Sequence, residues 1–258
     1  FASDVPAFAQ ALIHAYWPGP LTLILPRRAG VADAASGGHP TIGLRCPSHP
    51  LAQQVLQQAL ALGVQGVAAP SANLFGRVSP TTAAHVRQAF ADLTVLDGGA
   101  CDVGIESTIV DASRAAPVLL RPGMLTPAQL SAVCGVPVLR ETNEQVSSTH
   151  PPAPAAPGSL ASHYAPRARV RLMPVSEMLT RLEAAPSLPV ALWVRSALPT
   201  TVCAQHLRMP SDAPTCAHEL FAQLHALDAS GVEEIWVETP PADALWDGVR
   251  DRLQRASA

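Results

Sequence analysis

The chain has 258 residues, a hydrophobic share of 48% and a formal net charge of −3, enough to fill two ordinary cores but without the broad basic field that binds nucleic acid nonspecifically. All 17 basic residues are arginine, which excludes a Walker A lysine and a lysine Schiff base, and the five scattered cysteines include no Cys-x-x-Cys pair for a zinc site or disulfide framework. No apolar run reaches the ~20 residues of a membrane span and no signal peptide opens the chain, so a cytoplasmic protein is expected.

The first segment, from Phe1 to Tyr16, reads as a helix starting near Asp4 and Pro6, with Phe8, Leu12, Ile13 and Tyr16 on one face. Pro18-Gly19-Pro20 ends it, and Leu21 to Leu25 is a strand in which Thr22 faces away from its apolar neighbours. Gly30 to Pro40 is a loop. Thr41 to Arg45 is a strand whose alternation puts Thr41, Gly43 and Arg45 on one face, where a cation can line a cleft for an anion. His49 to Leu62 is a scaffold helix closed by Gly63.

The stretch from Gln65 to Thr82 concentrates small, polar and turn-forming residues. Val67 to Ala69 are expected to end a short buried strand, which Pro70 stops, leaving Ser71 and Asn73 on a loop. Ser79 is the expected N-cap and Pro80 the first residue of a helix carrying Ala84, His85, Val86 and Phe90. A strand that ends in small polar residues and runs into a helix N-terminus favours phosphate. Strands are also expected at 95–97, around Ser107 and Thr108, and at Val118 to Leu120 with Arg121 at its end, then a capped helix from Thr126 to Val133.

Pro151, Pro152, Pro154 and Pro157, set among Ser, Thr and Ala, mark an extended linker. Beyond it, strands at 170–173, 190–194 and 235–237 alternate with helices at 177–184, 216–230 and 243–255, the pattern of a small parallel Rossmann-like layer. It contains no Gly-x-Gly-x-x-Gly, so no dinucleotide is expected, and His206, His218 and His225 read as surface helix residues rather than metal ligands.

Taken together, Tyr16-Trp17-Pro18-Gly19-Pro20-Leu21-Thr22, Thr41-Ile42-Gly43-Leu44-Arg45, Ala69-Pro70-Ser71-Ala72-Asn73, Gly104 to Asp111 and Leu119 to Gly123 resemble, in order and spacing, the YrdC-like domain of threonylcarbamoyl-AMP synthases. His163-Tyr164-Ala165-Pro166 resembles the linker motif of the family's two-domain branch. The resemblance implies an α/β fold: a YrdC-like twisted open mixed sheet with flanking helices over residues 1–139, a linker and lid over 140–166, and a smaller Rossmann-like α/β domain over 167–258. It implies a nucleotidyltransferase that joins L-threonine, bicarbonate and ATP with Mg²⁺, with no tightly bound cofactor, and passes threonylcarbamoyl-AMP to the transferase machinery that modifies tRNA; double-stranded RNA binding and a tRNA contact also come with it. Arg45, Ala69 and Ser107 would hold threonine, and Thr41, Ser71, Asn73, Ser79, Arg121 and Tyr164 would contact ATP. No metal ligand and no single catalytic residue is implied.

Two departures from the family pattern stand out. The family's domain opens with a portion carrying a Lys/Arg pair and a threonine, and this sequence is read as starting after it. Ser159-Leu160-Ala161-Ser162 also lacks the basic residues that some members place before His-Tyr-Ala-Pro. A noncatalytic nucleotide- or RNA-binding module is the alternative; a hydrogenase-maturation carbamoyltransferase would need zinc-binding cysteine clusters that the sequence lacks.

Overall fold

The structure, a computed structural model, describes residues 1–140, 163–202 and 204–258; the proline-rich linker expected up to residue 162 lies outside these, except for Arg140. In chain order the elements are α1 (Ala7–Tyr16), β1 (Leu21–Pro26), β2 (Thr41–Leu44), α2 (Pro50–Ala61), α3 (Ala83–Ala89), β3 (Thr108–Asp111), β4 (Val118–Arg121), α4 (Pro127–Cys134) and β5 (Leu139–Arg140). The second half adds β6 (Arg169–Met173), α5 (Val175–Ala184), β7 (Val190–Val194), β8 (Gln205–Arg208), α6 (Ala213–Ala229), β9 (Glu234–Glu238), a 3-10 turn (Ala244–Trp246) and α7 (Asp247–Ala256). The described residues fall into two compact units, one built from 1–70 and 106–140, the other from 71–105 and the residues from 163 onward.

The first unit holds a mixed sheet of order β2-β1-β3-β4-β5, with β1 antiparallel to β2 and parallel to β3. One face of β1 points Leu21, Leu23 and Leu25 into a core with Ala9 and Leu12 of α1, Val110, Leu119 and Leu130 of α4. Period-two alternation leaves Thr22 and Ile24 on the other face. The α4 helix starts where the sequence says it should: Thr126 Oγ1 accepts from Gln129 N while Gln129 Oε1 accepts from Thr126 N, a reciprocal capping box with Pro127 in the first turn.

Several expectations are corrected here. No strand forms at 67–69 or 95–97: neither segment has a neighbouring strand in either sheet, residues 61–70 are exposed, and a strand without a ladder partner is not held. The helix after Pro80 starts three residues later than expected, because Thr82 rather than Ser79 caps it, its Oγ1 accepting from His85 N. Ser107 stands just before β3 rather than within a strand. His206 lies on β8, not on a helix.

The second unit contains an all-parallel sheet of order β6-β9-β7-β8, matching the expected Rossmann-like layer and extending it by β8. The chain passes from β6 to β7 through α5 and from β8 to β9 through α6, each step skipping a strand of the sheet. Both faces of the central strands are covered: every residue of β7 is buried, as are Trp236 and Val237 of β9. Arg252 of α7 is also fully buried, paired with Asp251 and set 5.6 Å from the Tyr164 ring centroid.

Candidate active site

In the first unit the polar face of β1 meets β2. Ile24 pairs with Gly43 and Pro26 with Thr41. A Cβ on Gly43 would come within 3.2 Å of Ile24 Cδ1 and 3.6 Å of Thr22 Cγ2, so Thr22, Ile24 and Gly43 share a face that glycine keeps bare. Alternation places Thr41 at one end of this strip and Arg45 at the other. Arg45 is exposed, and among the described residues its guanidinium meets no carboxylate. An unpaired cation beside a bare strand face suits a bidentate carboxylate ligand.

The next strand across brings in Ser107. Its hydroxyl lies 2.7 Å from Thr22 Oγ1, and its carbonyl accepts from Arg121 Nε at 3.1 Å and from Nη2 at 2.9 Å. Arg121 Nη2 also reaches Ser107 Oγ at 3.3 Å. Both residues are buried, so the guanidinium fixes the turn into β3 from the end of β4. Gly123 makes this approach possible, since a Cβ there would lie 2.6 Å from Thr108 N. Ala69, the remaining residue expected at the amino-acid pocket, lies in the exposed irregular stretch before Pro70.

The other expected nucleotide residues belong to the second unit. Ser71 is exposed. Asn73 Nδ2 donates to the carbonyls of Leu74 and Arg77, closing the loop, while its buried Oδ1 has no hydrogen-bond partner among the described residues. Ser79 is buried, and its carbonyl accepts from His225 Nε2 at 3.1 Å. The same loop is tied to the His-Tyr-Ala-Pro segment: Ala165 N donates to Gly76 O, and Arg77 Nη1 donates to Pro166 O. Tyr164 itself is 1% exposed, with a φ of 64° and its ring 5.2 Å from that of Phe221. The structure therefore joins Ser71, Asn73, Ser79 and Tyr164 in one unit, and Thr41, Arg45, Ala69, Ser107 and Arg121 in the other.

The sequence does not single out the pairing of His225 with His85. Their rings stack with centroids 3.9 Å apart, and His85 Nδ1 accepts from Thr81 N. His225 is thus half-buried rather than a surface residue. Burial holds both imidazoles below their usual protonation range, His85 also because of His225 beside it. His218 is exposed as expected, with Nδ1 2.8 Å from the Asp102 carbonyl. Among the described residues no three side chains gather as a metal site, and no helix is long and apolar enough to cross a membrane.

Comparison with known proteins bears on the whole chain. Residues 1–123 match a family model described as "Telomere recombination", and residues 125–258 match "Threonylcarbamoyl-AMP synthase, C-terminal domain". The threonylcarbamoyl-AMP synthase of Pyrococcus abyssi is 31% identical over 99% of this chain and 75% of its own length. That of Schizosaccharomyces pombe is 30% identical over 98% of this chain and 67% of its own length. The Bacillus subtilis enzyme is 39% identical over 63% of this chain and 46% of its own. A crystal structure of P. abyssi Sua5 complexed with L-threonine matches 99% of this chain and 75% of that one, with a TM-score of 0.82 and 30% identity. With both family models and relatives of this coverage in agreement, the chain belongs to the threonylcarbamoyl-AMP synthases, nucleotidyltransferases of two-domain α/β architecture.

Proposed function

We propose that the chain makes threonylcarbamoyl-AMP and pyrophosphate from L-threonine, bicarbonate and ATP. The observation that carries this reading is the bare strip of β2 with Arg45, which meets no carboxylate among the described residues, at its end and the Ser107–Arg121 turn across the sheet. In the reaction the threonine amine takes up bicarbonate carbon with loss of water. A carbamate oxygen then attacks the α-phosphorus of ATP, forming the P–O bond as the bond to pyrophosphate breaks. Neither step needs a protein nucleophile; positioning and charge stabilisation suffice.

Arg45 clamps the threonine carboxylate, and Ala69 and Ser107 border the same amino acid. Thr41, Ser71, Asn73, Ser79 and Arg121 serve the nucleotide, whose Mg²⁺ is held mainly by phosphate oxygens and water. Tyr164 closes over the nucleotide as part of a lid, which requires it to leave its seat against Phe221. A second solved structure, of P. abyssi Sua5 with an adjacent histidine and tyrosine both changed to alanine, supports attention to the pair His163-Tyr164. The mixed anhydride product is labile in water, so a tRNA-modifying transferase must take it up, and we place the activity in the cytoplasm.

The test is pyrophosphate release by this chain with Mg-ATP and bicarbonate, with and without L-threonine. Threonine-dependent release is the expected result. Nucleotide binding without any release would instead favour the noncatalytic module.

A further inference from the structure

The sheet face that carries Gly43 also carries a hydroxyl pair to which the reaction above gives only half a role. Thr22 Oγ1 and Ser107 Oγ lie 2.7 Å apart, and either can be the donor. Each hydroxyl owns one hydrogen and two acceptor sites. Their mutual bond uses one of the two hydrogens, and the Ser107 oxygen already accepts from Arg121 Nη2 at 3.3 Å. Among the described residues the second hydrogen has no acceptor. Thr22 is half-buried beside the bare strip, where Gly43 brings no side chain over it. The pair is also rigid, because Arg121 grips the Ser107 carbonyl through two nitrogens.

We propose that Thr22 is a specificity-determining residue, and that the spare hydrogen of the Thr22–Ser107 pair is donated to the side-chain hydroxyl of the amino-acid substrate. The proposal rests on the functional reading above. In that reading Arg45 takes the carboxylate and the amine reacts, so the hydroxyl is the one polar group of threonine still in need of a partner. The pair offers it one donor and, in its remaining lone pairs, an acceptor. A site that hydrogen-bonds a substrate hydroxyl rejects the analogue without one, because its own polar group is then left unpaired. Thr22 would thus separate threonine from an amino acid of equal size and apolar side chain.

The experiment compares L-threonine with L-2-aminobutyrate, which replaces the hydroxyl by hydrogen, in pyrophosphate release by the full chain and in calorimetric titration. Thr22→Val keeps the branched shape and removes the hydroxyl; Thr22→Ser restores it. The expected result for Thr22→Val is a rise of about tenfold in KM or Kd for threonine, with ATP and L-2-aminobutyrate little changed and the preference recovered in Thr22→Ser. Undiminished discrimination in Thr22→Val overturns the proposal. So does a parallel loss for both amino acids and ATP, which would mark Thr22 as packing only. An unsubstituted chain that neither binds threonine nor releases pyrophosphate overturns the functional reading itself, an outcome distinct from the other two.

Discussion

At the level of single residues the candidate site is a matter of which charges are already satisfied. Arg252 is paired with Asp251, and Arg121 reaches the neutral Ser107 carbonyl and hydroxyl, whereas Arg45 stands exposed without a carboxylate among the described residues. Arg45→Ala is therefore expected to raise the threonine requirement on the order of a hundredfold while leaving the ATP requirement within a few-fold, as steady-state kinetics with each substrate varied would record. Equal effects on both would remove the carboxylate clamp. Tyr164 presents a different balance. Its ring is buried against Phe221 and Arg252, so Tyr164→Ala is expected to lower thermal stability as well as nucleotide affinity. A stability loss with unchanged nucleotide affinity would leave it an anchor and take it out of the lid.

Among the elements, those with reciprocal local signals were legible from sequence, and those that depend on a partner were not. Thr126, Pro127 and Gln129 announce α4 by themselves. Thr126→Ala should cost about 1 kcal/mol, read as a drop of a few degrees in the unfolding midpoint. Leu21 to Leu25 and Val190 to Val194 are apolar enough to be recognised as strands, and Thr22 is visible as the lone hydroxyl in its run. Gln205 to Arg208, with one apolar residue, becomes an edge strand only because β7 is there to pair with it. Conversely, 67–69 and 95–97 have strand composition but no neighbour. At Ser79-Pro80-Thr81-Thr82 two caps compete, and the stacking of His85 on His225 accompanies the later start. That pair was illegible because its members are 140 positions apart, His225 minus His85.

The histidine pair also makes stability depend on pH with a definite sign. Burial lowers the pKa of both imidazoles in the folded protein, so the unfolded chain binds more protons and stability rises with pH. The contribution is complete above the unfolded value of about 6.5 and is lost as pH falls below it towards the lower folded values. The Ser79 carbonyl and Asp228 oppose the shift at His225 without reversing it. Glu234, bonded to Arg171, and Glu238, whose desolvation is outweighed by the backbone N–H groups of Ser196 and Arg195, are both held below the usual carboxylate range. Their stabilisation is lost only under about pH 4.3. The thermal unfolding midpoint should therefore fall in two separated pH windows as acid is added, and His85→Gln with His225→Gln should flatten the upper one alone.

Across the whole molecule, the family models divide the sequence near residue 124, whereas compactness assigns 71–105 to the unit that contains the C-terminal sheet. A fragment of 125–258 would lack the carbonyls of Ser79 and Asp102 that meet His225 and His218, and the chain that supplies Gly76 to Ala165. It should melt below the full chain, and adding 71–105 through a short linker should restore the difference. The same interleaving governs how the molecule comes off the ribosome. Ser79, buried in the finished protein, emerges well before α6 exists to bring His225 to its carbonyl. At 5–20 residues per second, the roughly 150 intervening positions amount to roughly 8–30 s of exposure. Vectorial synthesis thus leaves this segment unhoused until translation is nearly complete, a natural interval for a chaperone holdase to occupy it.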